Sequence, residues 1–285
     1  MLNPNPPMPM PSVYRNRSYY RFSLIALYLA LSATGEWAAA QSRPSFAGTW
    51  STTTTLNEDP AWLTEDYFCF FGCTQVEISH LTALLDDPAN DERPLPVLRA
   101  EAAAVGSREF MSLLTEKART VVEGRTLVDT LGEICTRYGH FGMTVSVMPL
   151  RISEAGDQLV FDYETHDTRR IVHMEDTAPP RPEEPSRLGH SVAHYDGDAL
   201  VIETTGVEEA PFYVSMALGL RHSDQLRTSE RYTLSDGGRT LDMVYTVTDP
   251  AVLQGEWVWV KKWRLAPELE LQHHEYDCSF APAQR

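Results

Sequence analysis

The sequence predicts a mainly β protein: an antiparallel up-and-down β-barrel of about nine strands, with an α-helical insertion after the first strand. A β-sandwich is the alternative arrangement of the same strands. Three observations carry this expectation. From Met143 to Phe280, short runs of alternating apolar and polar residues follow one another, the two-residue period of half-buried strands. Turn signals such as Ala155-Gly156-Asp157, Asp196-Gly197-Asp198 and Asp236-Gly237-Gly238 separate them at hairpin spacing. Helix-forming residues are concentrated instead between residues 57 and 142.

In chain order, residues 1–40 read as a signal peptide. Arg15, Arg17 and Arg21 precede the apolar run Phe22–Leu31, and Ala38-Ala39-Ala40 supply small residues for cleavage after Ala40. The run is short for a membrane anchor, so the expected product is soluble and secreted or periplasmic, with no stable membrane insertion. Residues 41–56 form the first barrel strand. It holds Gly48-Thr49-Trp50, which resembles the triplet on the first strand of lipocalin-like barrels, where the Trp plugs the closed end.

Residues 57–142 form the helical insertion or lid. Helices are expected at Pro60–Leu63, Gln75–Leu85 and Leu98–Thr120, with a proline-bearing linker from Asp86 to Pro96. Arg137–Met143 reads as a glycine-punctuated loop whose His140 is solvated or faces a cavity. Residues 143–285 hold the rest of the barrel: Thr144–Ser153, Gln158–Glu164, Thr168–Met174, Gly189–Tyr195, Ala199–Thr205, Gln225–Ser235, Arg239–Thr248, Trp257–Leu265 and Glu270–Phe280. A meander of hairpins closes most simply as a barrel, which leaves no open edges.

Composition narrows the partners. The formal net charge is −16, and removing the arginines of the leader makes it more negative, which excludes nucleic acid and anionic membrane surfaces. A small organic molecule is the expected partner. Cys69, Cys73, Cys135 and Cys278 are an even set, as in exported disulfide-bonded chains. Of three possible pairings, Cys69–Cys73 and Cys135–Cys278 are favoured. The CxxxC spacing is poor for zinc, and nothing fixes His190, His194 and His222 as a metal triad, so no metal is expected. No cofactor is expected either: the chain has no P-loop, dinucleotide fingerprint, G-x-S-x-G or H-E-x-x-H motif.

Strand alternation selects the candidate site. Leu226, Thr228, Glu230, Tyr232 and Leu234 share one face of their strand, opposite a wet face of Gln225, Arg227, Ser229 and Arg231. Glu230 and Tyr232 therefore point inward beside leucines, and a carboxylate there must be paired, hydrogen-bonded or protonated. Neighbouring strands offer Glu164 and Arg170, Lys261 on the face of Trp257, Trp259 and Trp263, His273 with Glu275, His190 with His194, and His222 at the strand mouth.

From Glu164 onward several motifs occur together: Glu164 with Arg169-Arg170-Ile171, Gly189-His190-Ser191, Gly197-Asp198-Ala199-Leu200-Val201, Thr204-Thr205-Gly206, His222-Ser223, Glu230-Arg231-Tyr232, Asp249-Pro250, and Glu275 with Cys278. As a set they resemble a group of poorly characterised secreted bacterial proteins, and the likeness covers the last half of the chain. It implies export and carries no activity with it. Near Cys135 the chain departs from the group, with Tyr138-Gly139-His140-Phe141-Gly142 in place of a proline-rich run.

The function expected from these residues is cofactor-independent acid–base chemistry on a small, partly apolar molecule: an isomerisation, an elimination or hydration, or a cyclisation, of lyase or isomerase type. Glu230 or Glu164 would transfer the proton, with His222 and Tyr232 as relay. Arg170, His190, Trp259, Lys261, His273 and Glu275 would bind substrate. The alternative is a non-catalytic periplasmic carrier or sensor using the same pocket.

Overall fold

A computed structural model describes residues 43–52, 72–125, 137–212 and 219–272. The chain divides into a unit Met1–Ser42 and a unit Arg43–Arg285, and every described residue belongs to the second. The leader and its cleavage point lie outside the described residues, as do Cys69, Cys135, Cys278, His273 and Glu275. Cys73 is buried, but neither expected cysteine pairing falls within the described residues.

Nine strands close into a barrel with a helical insertion after the first, as the alternation predicts. They are β1 (Gly48–Ser51), β3 (Leu150–Ala155), β4 (Gln158–Tyr163), β5 (Thr168–Met174), β6 (His190–Asp196), β7 (Ala199–Thr205), β10 (Arg227–Ser235), β11 (Thr240–Thr248) and β12 (Trp257–Leu265). The ring follows that order, and β1 closes it on β12 through Trp50↔Leu265. The short β2 (Cys73–Thr74) joins the edge of β12 at Val260 and Trp259. A separate ribbon pairs β8 (Ala210–Pro211) with β9 (Arg221–His222).

One pairing departs from the expected meander. β5 and β6 run parallel, with Val172 opposite Ser191. The proline-rich connection between them carries the chain back to the same barrel end before β6 begins, which a two-residue hairpin cannot do. The barrel is therefore mixed. Gly189, just before β6, has a φ of 69°, and a Cβ there would meet the Thr205 carbonyl at 2.7 Å. Only glycine admits that entry.

The insertion holds α1 (Gln75–Asp86), α2 (Leu95–Leu113) and α3 (Glu116–Gly124). Thr74 and Glu77 form a capping box at the start of α1. The helix expected over Leu98–Thr120 is split, because Leu114 bridges to Leu253 and the Thr115 side chain caps a new helix by accepting from Ala118 N. Leu81, Leu98 and Ala102 form a small core of their own, whereas Phe110, Leu114, Ala118 and Val122 join the barrel core. The strand expected from Thr144 begins only at Leu150. His140–Val145 is instead a one-and-a-half-turn helix, α4, with all six residues buried. Residues Glu270–Gln272 at the other end are coil.

The inward rows follow strand alternation. β12 buries Trp257, Trp259, Lys261 and Trp263, β11 buries Leu241, Met243, Tyr245 and Val247, and β4 buries Leu159, Phe161 and Tyr163. Phe141 of α4 stacks on Trp257 at 5.6 Å and meets Phe212 edge-on at 4.9 Å. One side of the interior is therefore aromatic and tightly filled.

Candidate functional site

The other side of the interior is polar. Thr228, Glu230 and Tyr232 point inward from β10, Arg170 from β5, Ser191 from β6 and Thr204 from β7. Glu230 is 0% exposed and Arg170 is 2% exposed. Their side chains meet fork to fork: Arg170 Nη2 donates to Glu230 Oε1 at 2.7 Å and Nη1 to Oε2 at 3.1 Å. Arg170 also donates from Nε to Ser191 Oγ at 2.9 Å and from Nη2 to Thr204 Oγ1 at 2.8 Å. The Tyr232 hydroxyl donates to Glu230 Oε2 at 2.7 Å. A bidentate, fully bonded pair is the form in which buried charges persist.

Burial pulls the Arg170 pKa down, but the Glu230 carboxylate and the neighbouring Tyr163 hydroxyl more than reverse this, so the guanidinium holds its proton more firmly than usual. Burial and then Glu230 push the Tyr232 hydroxyl well above its ordinary range, so it stays a donor.

His140, at the start of α4, faces this pair. Its Nε2 lies 2.8 Å from Thr228 Oγ1 and 3.7 Å from Glu230 Oε1. Burial, reinforced by Arg170 and His222, holds the imidazole well below its ordinary pKa, so it is neutral. Nε2 is bonded to the Thr228 hydroxyl, with the Glu230 carboxylate next beyond it. Nδ1 is buried and has no partner among the described residues. Thr228 therefore holds one ring nitrogen, and the other faces the interior unbonded. His140 was legible only as a loop histidine, because nothing in Arg137–Met143 announces a buried helix.

The expected residues divide. Glu230, Tyr232 and Arg170 come together as alternation places them. Glu164, 7% exposed, accepts the backbone N–H of Gln272 at 2.9 Å and ties down the segment after β12, away from Glu230. His222 is buried in β9, where Nδ1 donates to the Ser223 carbonyl at 3.2 Å and the ring packs edge-on against Phe212 at 5.5 Å. His190 sits on the outer face of β6, stacked on His173 at 5.5 Å. Trp259 belongs to the aromatic side, edge-on to Trp257 at 4.8 Å. Lys261 points inward and bonds the carbonyls of Thr144 and Ser146.

A hollow of about 620 Å³ lies on the outer face of β3, β4 and β5, beside Glu270 and Leu271. Its wall carries the cross-strand row Arg151, Asp162 and Arg169, together with Asp167 and Glu270. Arg169 and Asp162 are paired at 2.7 Å. The β4–β5 turn at its rim places His166 and Asp167 at φ of 55° and 52°, a conformation that costs non-glycine residues roughly 1–3 kcal/mol each. Tyr163 lines the same hollow, and its hydroxyl lies 3.5 Å from Arg170 Nη1.

No family model matches the chain, and no curated protein matches it. Among solved structures it is similar to a single-residue mutant of UnaG, described as a fluorescent protein. The two share 22% identity over 41% of this chain and 70% of that one, with a TM-score of 0.24. At that score the likeness carries no argument about ligand or activity.

Proposed function

We propose that this chain is an exported barrel protein that takes a small, partly apolar organic molecule in the hollow on the outer face of β3–β5. The molecule would rest between Arg151, Asp162 and Arg169 and the segment Glu270–Leu271, with the buried Arg170–Glu230 pair on the other side of the sheet. The observation supporting this is the hollow itself, whose wall sets Arg151, Asp162 and Arg169 around a concave floor closed by Glu270 and Leu271. Concave openings with a few convergent polar groups are where small molecules bind. The motif set shared with secreted bacterial proteins, and the leader-like residues 1–40, support export.

Within this reading, acid–base chemistry would fall to His140. Every Glu230 oxygen already accepts from Arg170 or Tyr232, so Glu230 would not be the group that transfers protons. His140 Nδ1 is left unbonded for a proton shift, elimination or hydration. The carrier reading is favoured by the same saturation of Glu230 and Arg170, which leaves neither member of the pair free to react.

The test is native mass spectrometry of the chain from Gln41, before and after incubation with extracts of the producing cells. A retained molecule, bound about tenfold more weakly by Arg151→Gln, as loss of one charged hydrogen-bonding group predicts, supports the site. Consumption of that molecule without added cofactor, lost in His140→Gln, identifies acid–base turnover. Retention unchanged, consumption absent, marks a carrier. A ligand indifferent to Arg151→Gln would refute the placement. N-terminal sequencing of the exported protein tests cleavage before Gln41.

A further inference from the structure

The hollow on the outer face of β3, β4 and β5 has one wall made by the segment after β12, and that segment is tied down at both ends. Ala266 N donates to the Thr49 carbonyl at 2.8 Å, and Leu269 N to the Ala266 carbonyl at 3.0 Å. Gln272 N donates to the buried Glu164 carboxylate at 2.9 Å. Between these anchors Glu270 and Leu271 line the hollow, together with the cross-strand row Arg151, Asp162 and Arg169.

The charges of that row do not cancel. Arg169 commits its fork to Asp162: Nε donates to Oδ1 at 2.7 Å and Nη2 to Oδ2 at 3.2 Å. Arg151 is the other cross-strand neighbour of Asp162, yet no carboxylate among the described residues lies within ion-pair distance of it. Its hydrogen bond runs from Nε to the Thr49 hydroxyl and is long, 3.5 Å. Both terminal nitrogens, the prongs that grip a carboxylate, are left over on an exposed side chain that lines the hollow. Arg169 here, and Arg221 in a smaller hollow beside α3, each hold a carboxylate at 2.7 Å. Arg151 has the same fork and holds none.

The free fork selects a ligand by charge and by shape. One guanidinium neutralises one negative charge, and a carboxylate presents two oxygens at the spacing of the fork. A phosphate dianion would bring a second charge against a wall that already carries Asp162, Asp167 and Glu270, on a chain of net charge −16, where like charges repel. Leu271, half-buried, gives the same wall an apolar surface, which suits a hydrocarbon body behind the charged end.

We propose that the hollow is a site for a small monocarboxylate with an apolar body. Arg151 takes the carboxylate fork to fork, and the body lies along Leu271. This deepens the reading of the hollow as a small-molecule site and rests on it.

The experiment uses the chain from Gln41 and matched probes at neutral pH, where the acids are ionised: phenylacetate with phenylacetamide, and octanoate with octanamide. Titration calorimetry reads their affinities. Each acid should bind about tenfold or more tightly than its amide, because a hydrogen bond to a charged group is the stronger one. Arg151→Gln changes an exposed side chain and should bring each acid down to the level of its amide. Arg151→Lys should recover only part of the difference, because an ammonium has no fork. Phenyl phosphate should bind more weakly than phenylacetate. A phosphate that binds more tightly overturns the monocarboxylate assignment. Acids and amides that bind alike, and are weakened alike by Arg151→Gln, also overturn it and leave the hollow standing. Binding indifferent to Arg151→Gln, or absent for every probe, overturns both.

Discussion

Glu230→Gln removes one charge from a site with no access to water. The variant keeps the side-chain volume and one carbonyl oxygen, so Arg170 retains one good acceptor. It loses the carboxylate that neutralises the guanidinium, and places an amide where Tyr232 now donates at 2.7 Å. Breaking a buried pair by removing one partner costs about 3–5 kcal/mol, because the remaining charge stays desolvated. Whole-domain stabilities are roughly 5–15 kcal/mol, so this is a large share of the total. At roughly 2–4 °C per kcal/mol for a domain of this size, thermal unfolding should move down by about 6–20 °C. The partner experiment is Arg170→Met with Glu230→Leu together, which removes both charges and should recover most of the loss. Calorimetry and urea unfolding of the two single variants and the double variant measure the coupling directly. A Glu230→Gln protein with unchanged midpoint would refute the description of this pair as an electrostatically closed unit. So would a double variant whose loss equals the sum of the single losses.

Three further outcomes follow from the same interior. His140 is held neutral in the fold, well below its ordinary value of 6.5, so below about pH 6.5 the unfolded chain binds a proton that the fold refuses. Stability should fall as pH drops below that value, and His140→Phe should flatten this part of a urea midpoint-versus-pH curve. Lys261 is likewise held well below 10.5. Between its folded value and 10.5 the unfolded chain again carries the extra proton, so its contribution rises with pH across that window, and Lys261→Met should remove the rise. Gly106 on α2 faces Glu77 so closely that a Cβ would meet its carboxyl group at 2.4–2.5 Å; Gly106→Ala should cost about 1–3 kcal/mol, read as a lower thermal midpoint with far-ultraviolet signal retained.

Much of this was legible because strands have a period of two. Alternation along Arg227–Ser235 placed Glu230 and Tyr232 inward, and alternation along Trp257–Leu265 placed Lys261 with three tryptophans. It could not distinguish partners. Glu164 and Arg170 both lie near the β4–β5 turn, yet Arg170 reaches Glu230 across the barrel while Glu164 ends on Gln272 N, because tertiary closure decides who meets whom. The same alternation put His190, Val192 and His194 on one face, and only the sheet's neighbours show that face to be the outer one. The parallel β5–β6 pairing was hidden because a long proline-rich connection is compatible with either strand direction. His140 was hidden for another reason: six residues are too few for helical periodicity to register, and α4 is buried on every side, so it has no polar stripe.

Ring closure by β1 on β12 sets the order in which this chain can become native. Trp50 meets Leu265 only after nearly all the intervening strands exist, and contacts between such distant segments are the slowest kind to form. Until then β1 and β12 both present unpaired edges, which other chains can join. A chain that left its ribosome and folded at once would spend that interval with two adhesive borders.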